Sequence, residues 1–119
     1  MDIEYLRNYC LNKKEVTESF PFGDSTLVFK VKEKIFLLVN ITDSPLWFNV
    51  KCDPEKAEEL REQYHDVRPG YHMNKKHWNT VFITGNIPEK IVKKMIDDSY
   101  MLVIESLPAK VKAALNSKK

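Results

Sequence analysis

From Ser25 the chain alternates. Leu27, Phe29 and Val31 fall on one side, and Thr26, Val28, Lys30 and Lys32 on the other. That is the period of a strand with one face half exposed. The polar Lys32-Glu33-Lys34 connection follows, and Ile35 to Ile41 is then almost unbroken apolar sequence. This predicts a central strand with much of both faces covered. A third strand is expected from Leu46 to Cys52, where Leu46, Phe48, Val50 and Cys52 alternate with Trp47, Asn49 and Lys51. Three strands joined by short turns make an antiparallel meander.

Elsewhere the period is helical. Asp2 caps a predicted helix over residues 2–12, with Ile3, Leu6 and Cys10 on one stripe. A turn over Phe20-Pro21-Phe22-Gly23-Asp24 separates it from the strands. Asp53-Pro54 begins a second helix reaching about Tyr64, with Ala57, Leu60 and Tyr64 inward and Glu55, Glu58, Glu59 and Glu62 outward. Trp78 to Thr84 reads as another strand, ended by Gly85-Asn86. Pro88 starts a last long helix, to about Glu105, whose inner stripe is Ile91, Val92, Met95, Ser99, Leu102 and Val103. Leu107-Pro108 breaks it, Pro108 to Leu115 predicts a short further helix, and Asn116 to Lys119 is expected to fray. The order is helix, three strands, helix, one or two strands, helix. The expected class is α+β, an antiparallel sheet with helices packed on one face, in a single domain over residues 1–119.

Composition narrows the function classes. The formal net charge is only +2, from 19 basic and 17 acidic residues, so any nucleic-acid surface has to come from local clustering. Cys10 and Cys52 stand in no metal or redox spacing, which fits a reducing compartment. No signal peptide or membrane span is visible in the pattern. The expectation is a cytoplasmic monomer with no cofactor and no bound metal.

The candidate chemistry is concentrated in Arg68 to Val81. This stretch holds His72, His77, Trp78 and three cations, with no carboxylate among them. Arg68, Lys75, Lys76 and His77 are placed to contact phosphates, and Asn74 to add a hydrogen bond to a phosphate or base edge. Lys30, Lys32 and Lys34 mark the first hairpin as a second contact point. The plainer reading is a solvated loop and a charged hairpin that discourages edge pairing. Tyr71, His72 and Trp78 suit a ligand pocket between loop and sheet, although Trp78 starts a strand and is expected mainly to pack. His72 and His77 stand five apart with no identifiable orienting carboxylate, so no enzyme activity is expected. One of the two histidines is expected to tie the loop to the backbone through a ring N–H.

Several segments resemble a known family. They are Phe20-Pro21-Phe22-Gly23, Val28-Phe29-Lys30-Val31, Ile35-Phe36, Lys51-Cys52-Asp53-Pro54, Asp98-Ser99-Tyr100, Leu107-Pro108 and, most specific, Pro69-Gly70-Tyr71-His72-Met73-Asn74-Lys75-Lys76-His77-Trp78-Asn79-Thr80-Val81. Together they are similar to the MmcQ/YjbR family. The resemblance implies a CyaY-like (frataxin-like) α+β fold and a DNA-binding role through a double-wing arrangement. Iron chemistry of the frataxin kind does not follow. It needs clustered carboxylates, and the first helix and the segment after it interleave Asp2, Glu4, Glu15 and Glu18 with Arg7, Lys13 and Lys14. The leading expectation is therefore a non-enzymatic DNA-binding protein, and the alternative a protein- or small-molecule-binding module with a pocket at the Tyr71–Trp78 loop.

Overall fold

In the computed structural model, which describes residues 1–117, α1 (Ile3–Leu11) starts where the Asp2 carboxylate accepts the Tyr5 N–H at 2.9 Å. Four strands follow: β1 (Val16–Ser19), β2 (Thr26–Val31), β3 (Lys34–Asn40) and β4 (Trp47–Lys51). Then come α2 (Pro54–Gln63), β5 (Val67–Pro69), β6 (Trp78–Phe82), α3 (Glu89–Glu105) and α4 (Ala109–Ser117). Asp53 caps α2 with Pro54 in its first turn, as its sequence predicts. The sheet has six strands in the order β1-β2-β3-β4-β6-β5, every pair antiparallel.

The α+β expectation holds, with one strand more than the pattern showed. The segment after α1 forms β1, an edge strand of four residues paired to β2 through Val16↔Val31 to Ser19↔Val28. So short an alternation carries no sequence signal of its own. Its position is set by pairing and by Arg7 of α1, whose Nε donates to Glu18 at 2.7 Å. Of the expected fraying over Asn116 to Lys119, the chain is helical through Ser117, and Lys118 and Lys119 lie outside the described residues.

All helices contribute to the core on one face of the sheet. Leu27, Phe29, Leu37, Val39, Phe48, Val50 and Val81 pack there against Leu6 and Cys10, Ala57 and Leu60, Met95 and Ile96, and Leu115. A β-bulge breaks the alternation. Phe29 pairs with Leu37 but Lys30 pairs with Ile35, so Phe36 has no partner on β2. Phe36 and Leu37 are both fully buried in the helix-side core. Ile35 is thereby turned to the opposite face, which is the usual effect of one extra residue.

Ser99 of α3 closes the gap between β3 and β4. Its hydroxyl donates to the Phe36 carbonyl at 2.5 Å and accepts the Lys51 N–H at 2.8 Å. The side chain is completely buried, so without it a buried backbone donor and acceptor would lose their partners. Ser99→Ala should lower the unfolding free energy by about 1–3 kcal/mol, read from urea denaturation; a loss within error of zero would show that the strands re-pair unaided.

At the far edge, Asp66 accepts from Thr84 Oγ1 at 2.5 Å and from Asn86 Nδ2 at 3.2 Å, tying the β6–α3 connection to β5. These bonds hold its carboxyl below the usual carboxylate range. A depressed carboxyl contributes stability that is present above the unfolded value of about 3.9 and is lost as pH falls through the folded value. Asp66→Asn should therefore narrow the gap to wild type as the solution is acidified below about pH 4. Melting temperatures followed from pH 7 to pH 2.5 check this; a constant gap would refute it.

Candidate functional site

Among the described residues, no helix lies on the other face of the sheet. Strand register arranges it as a grid: Thr26, Asn40, Trp47 and Phe82 in one row, Val28, Leu38, Asn49 and Thr80 in the next. Beyond them stand Lys30 opposite Ile35 and Lys51 opposite Trp78. Val28 and Leu38 are buried but stand apart from the helix-side core. What covers this face is the chain between β5 and β6.

Three hydrogen bonds fix the path of that segment. The Tyr71 N–H donates to Thr80 Oγ1 at 2.8 Å, the Thr80 hydroxyl donates to Asn49 Oδ1, and Asn49 Nδ2 donates to the Tyr71 carbonyl at 3.0 Å. The ring is closed, and both side chains are buried. Gly70 lies against Trp78, where a Cβ would come within 2.7 Å of the Trp78 Cβ. Glycine is needed here for close approach, since the left-handed residue of the loop is His72, at φ 60°.

The loop is then tied down by residues other than a histidine ring. Asn74 Oδ1 accepts the Lys76 N–H at 2.9 Å and the His77 N–H at 3.3 Å, an Asx-type turn. Lys75 Nζ donates to the Gly70 carbonyl at 2.9 Å. Arg61 of α2 reaches across: Nε donates to Asn79 Oδ1 at 2.7 Å, and Nη2 to the carbonyls of Trp78, at 3.2 Å, and Lys75. The expectation of a histidine anchor is thus corrected. A guanidinium fork, one lysine ammonium and one short amide reach the carbonyls and N–H groups of the turn. Arg61 was not singled out from the sequence. The signal was there, because it lies four residues after Ala57 on the inward stripe of an otherwise glutamate-rich helix.

Between this loop and the sheet is a pocket of about 320 Å3, lined by Phe22, Thr26, Ile35, Leu38, Val39, Asn40, Trp47, Asn49, Tyr71, His72 and Met73. Tyr71 and His72 therefore stand where the pocket expectation put them. Trp78 does not: it is half-buried on the same face opposite Lys51 and is absent from the lining. An aromatic run crosses the site. The His72 and Tyr71 rings lie 4.0 Å apart, Tyr71 meets Trp47 edge-on at 5.9 Å, and Trp47 lies 6.3 Å from Phe82. The Arg68 guanidinium covers Phe82 at 4.7 Å. Trp47 is held by its indole N–H, which donates to Asp43 at 2.8 Å. Phe22 and Tyr71 are 66% and 56% exposed, a large apolar rim for two side chains.

The cationic candidates are arranged less simply. The β2–β3 turn and the 74–77 segment project from the same end of the sheet, with β4 between them. Lys32 faces Glu15 at 3.8 Å, Lys75 is engaged with Gly70, and Arg68 with Phe82. Lys34 and Lys76 are exposed. Lys76 lines a shallow hollow with Arg61, Glu55 and Glu58, so the acidic face of α2 adjoins it. Among the described residues no three His, Cys, Asp or Glu side chains lie close enough to hold a metal, and no helix is long and apolar enough to cross a membrane.

The YjbR family profile matches residues 11–102, which span the sheet, the loop and most of α3. The chain belongs to the YjbR family. It is 34% identical over 108 residues to the uncharacterised YjbR protein of Escherichia coli K12, covering 91% of this chain and 92% of that one. It is 40% identical over 88 residues to the uncharacterised YbdF protein of Escherichia coli O157:H7, covering 74% and 72%. A crystal structure from Deinococcus radiodurans superposes with a TM-score of 0.93 at 38% identity, over 97% of this chain and 88% of that one. A Pseudomonas syringae protein gives a TM-score of 0.73 at 26% identity, over 86% and 98%. The Tyr71 loop and the strands beneath it fall within the part that defines the YjbR family.

Arg61→Ala should cost about 1–2 kcal/mol of stability and raise amide exchange at Gly70 and Cys52, whose N–H groups donate to the carbonyls of Trp78 and His77. Arg61→Lys should recover only part of this, because an ammonium lacks the fork that meets three acceptors. Unchanged exchange in both variants would remove Arg61 as the anchor of the loop.

Proposed function

We propose that this YjbR-family chain is a non-enzymatic binding module whose ligand site is the pocket between the open sheet face and Tyr71–Met73. One observation carries the reading. An apolar floor of Ile35 and Leu38 is walled by Trp47 and Tyr71, and a few placed polar groups, Asn40, Asn49 and His72, border it. Concave, mostly apolar sites with few convergent polar groups are where small ligands bind. Turnover is not part of the reading: Asp66, the carboxylate nearest the loop in sequence, is committed to Thr84 and Asn86 rather than to a histidine. The free thiols of Cys10 and Cys52 support a cytoplasmic setting.

A fragment screen by two-dimensional NMR tests this. Binders should shift the amides of Leu38, Asn40, Asn49 and Tyr71 together, and Tyr71→Ala should weaken them about tenfold. The Tyr71 backbone bonds survive that substitution, so the fold is kept. Shifts confined to other surfaces, or affinities indifferent to Tyr71→Ala, would rule the pocket out.

DNA is the second reading, favoured by the two cation-bearing turns on one end of the sheet. It predicts duplex affinity that falls steeply with salt, and a slope reduced by about two in Lys34→Ala with Lys76→Ala. Absence of duplex binding at low salt would exclude it.

A further inference from the structure

We propose that the occupant of the pocket is a planar ring bearing an anionic group, with the ring over Leu38 beside Tyr71 and the anion at the Ile35 end, between Lys30 and Lys51. This rests on the pocket reading and adds the chemistry of the ligand. The strand register supplies the first reason. Lys30 is the direct partner of Ile35 on β2, and Lys51 follows Asn49 by two on β4, so both belong to the open face next to the pocket. Both are half-buried. Neither has an ion-pair partner among the described residues, whereas Lys13, Lys32, Lys56, Lys93, Lys94 and Lys112 each have one.

The second reason is the polarity of the pocket itself. No Asp, Glu, Lys or Arg is among its lining residues. Asn40 Oδ1 accepts three bonds of 2.9 Å, from the Thr42 N–H, the Thr42 hydroxyl and the Asp43 N–H. Asn49 Oδ1 is taken by Thr80. The Asn40 oxygen is therefore spent and the Asn49 oxygen half engaged, whereas of their four amide N–H groups one, on Asn49, donates within the described residues, so the two asparagines offer a ligand more N–H than oxygen. Donors inside and ammonium groups at one end complement acceptor atoms and negative charge. Flat aromatic walls select a planar ring, and the volume lies at the low end of the range for ligand sites, which limits the occupant to one or two fused rings with a short substituent.

Matched pairs of probes test this on the full-length chain by titration calorimetry and NMR: indole-3-acetate against indole-3-acetamide for a carboxylate, and adenosine monophosphate against adenosine for a phosphate. The anionic member of at least one pair should bind about tenfold more tightly. Lys30→Gln with Lys51→Gln should abolish that preference and leave the neutral member unchanged; each single variant should remove part of it. Whichever pair shows the preference identifies the anion as carboxylate or phosphate. Equal binding of both members in both pairs, or a preference that survives the double variant, overturns the anionic assignment and leaves the pocket standing. If no probe shifts Leu38, Asn49 or Tyr71, the anionic assignment fails and the pocket reading fails with it.

Discussion

The Ser99 hydroxyl stands where β3 and β4 would otherwise exchange a backbone hydrogen bond, and much of the molecule follows from that insertion. The bulge at Phe36 needs the strands to part locally, and parted strands leave a buried carbonyl and N–H. A hydroxyl is the smallest side-chain group that can serve both at once. Because α3 supplies it, the helix is fixed in register with the sheet by a polar contact, with apolar packing around it. The Asp98-Ser99-Tyr100 run then has a physical meaning. Ser99 bridges the strands, and Tyr100 packs edge-on to Phe36 at 5.4 Å while donating to the Lys14 carbonyl at 2.7 Å.

The same bulge decides what the open face can do. It sends Phe36 into the core and Ile35 out, so an apolar residue sits between Lys30 and Lys51. With unbroken alternation Ile35 would join the core and the bulkier Phe36 would stand on the open face in its place. Core formation and the site are two outcomes of one irregularity in β3, and a change at Phe36 would be felt in both.

Much of this was legible in the residues. The alternation of Trp47, Asn49 and Lys51 against Phe48 and Val50 announced the two faces of β4, and Asp53-Pro54 announced α2. Tyr71 and His72 could be picked out because aromatic and polar groups crowd one turn. Three features were not legible, for different reasons. β1 is made by its partner strand rather than by its own pattern. The bulge lies within a nearly continuous apolar run, in which Ile35, Phe36 and Leu37 look alike and only pairing tells their faces apart. The roles of Lys75 and Arg61 depend on which carbonyls the fold brings within reach, and a list of cations does not separate those holding the loop from those left free.

The ring joining Tyr71, Thr80 and Asn49 uses only backbone atoms of Tyr71. The first part of the loop's course over the sheet is thus written in β4 and β6, while Asn74, Lys75 and Arg61 hold its return. The Tyr71 side chain can be exchanged without redirecting the chain that carries it, whereas position 72, at φ 60°, admits few residue types. Architecture and selectivity are held by separate residues, so the scaffold is suited to re-tailoring toward new ligands one rim side chain at a time.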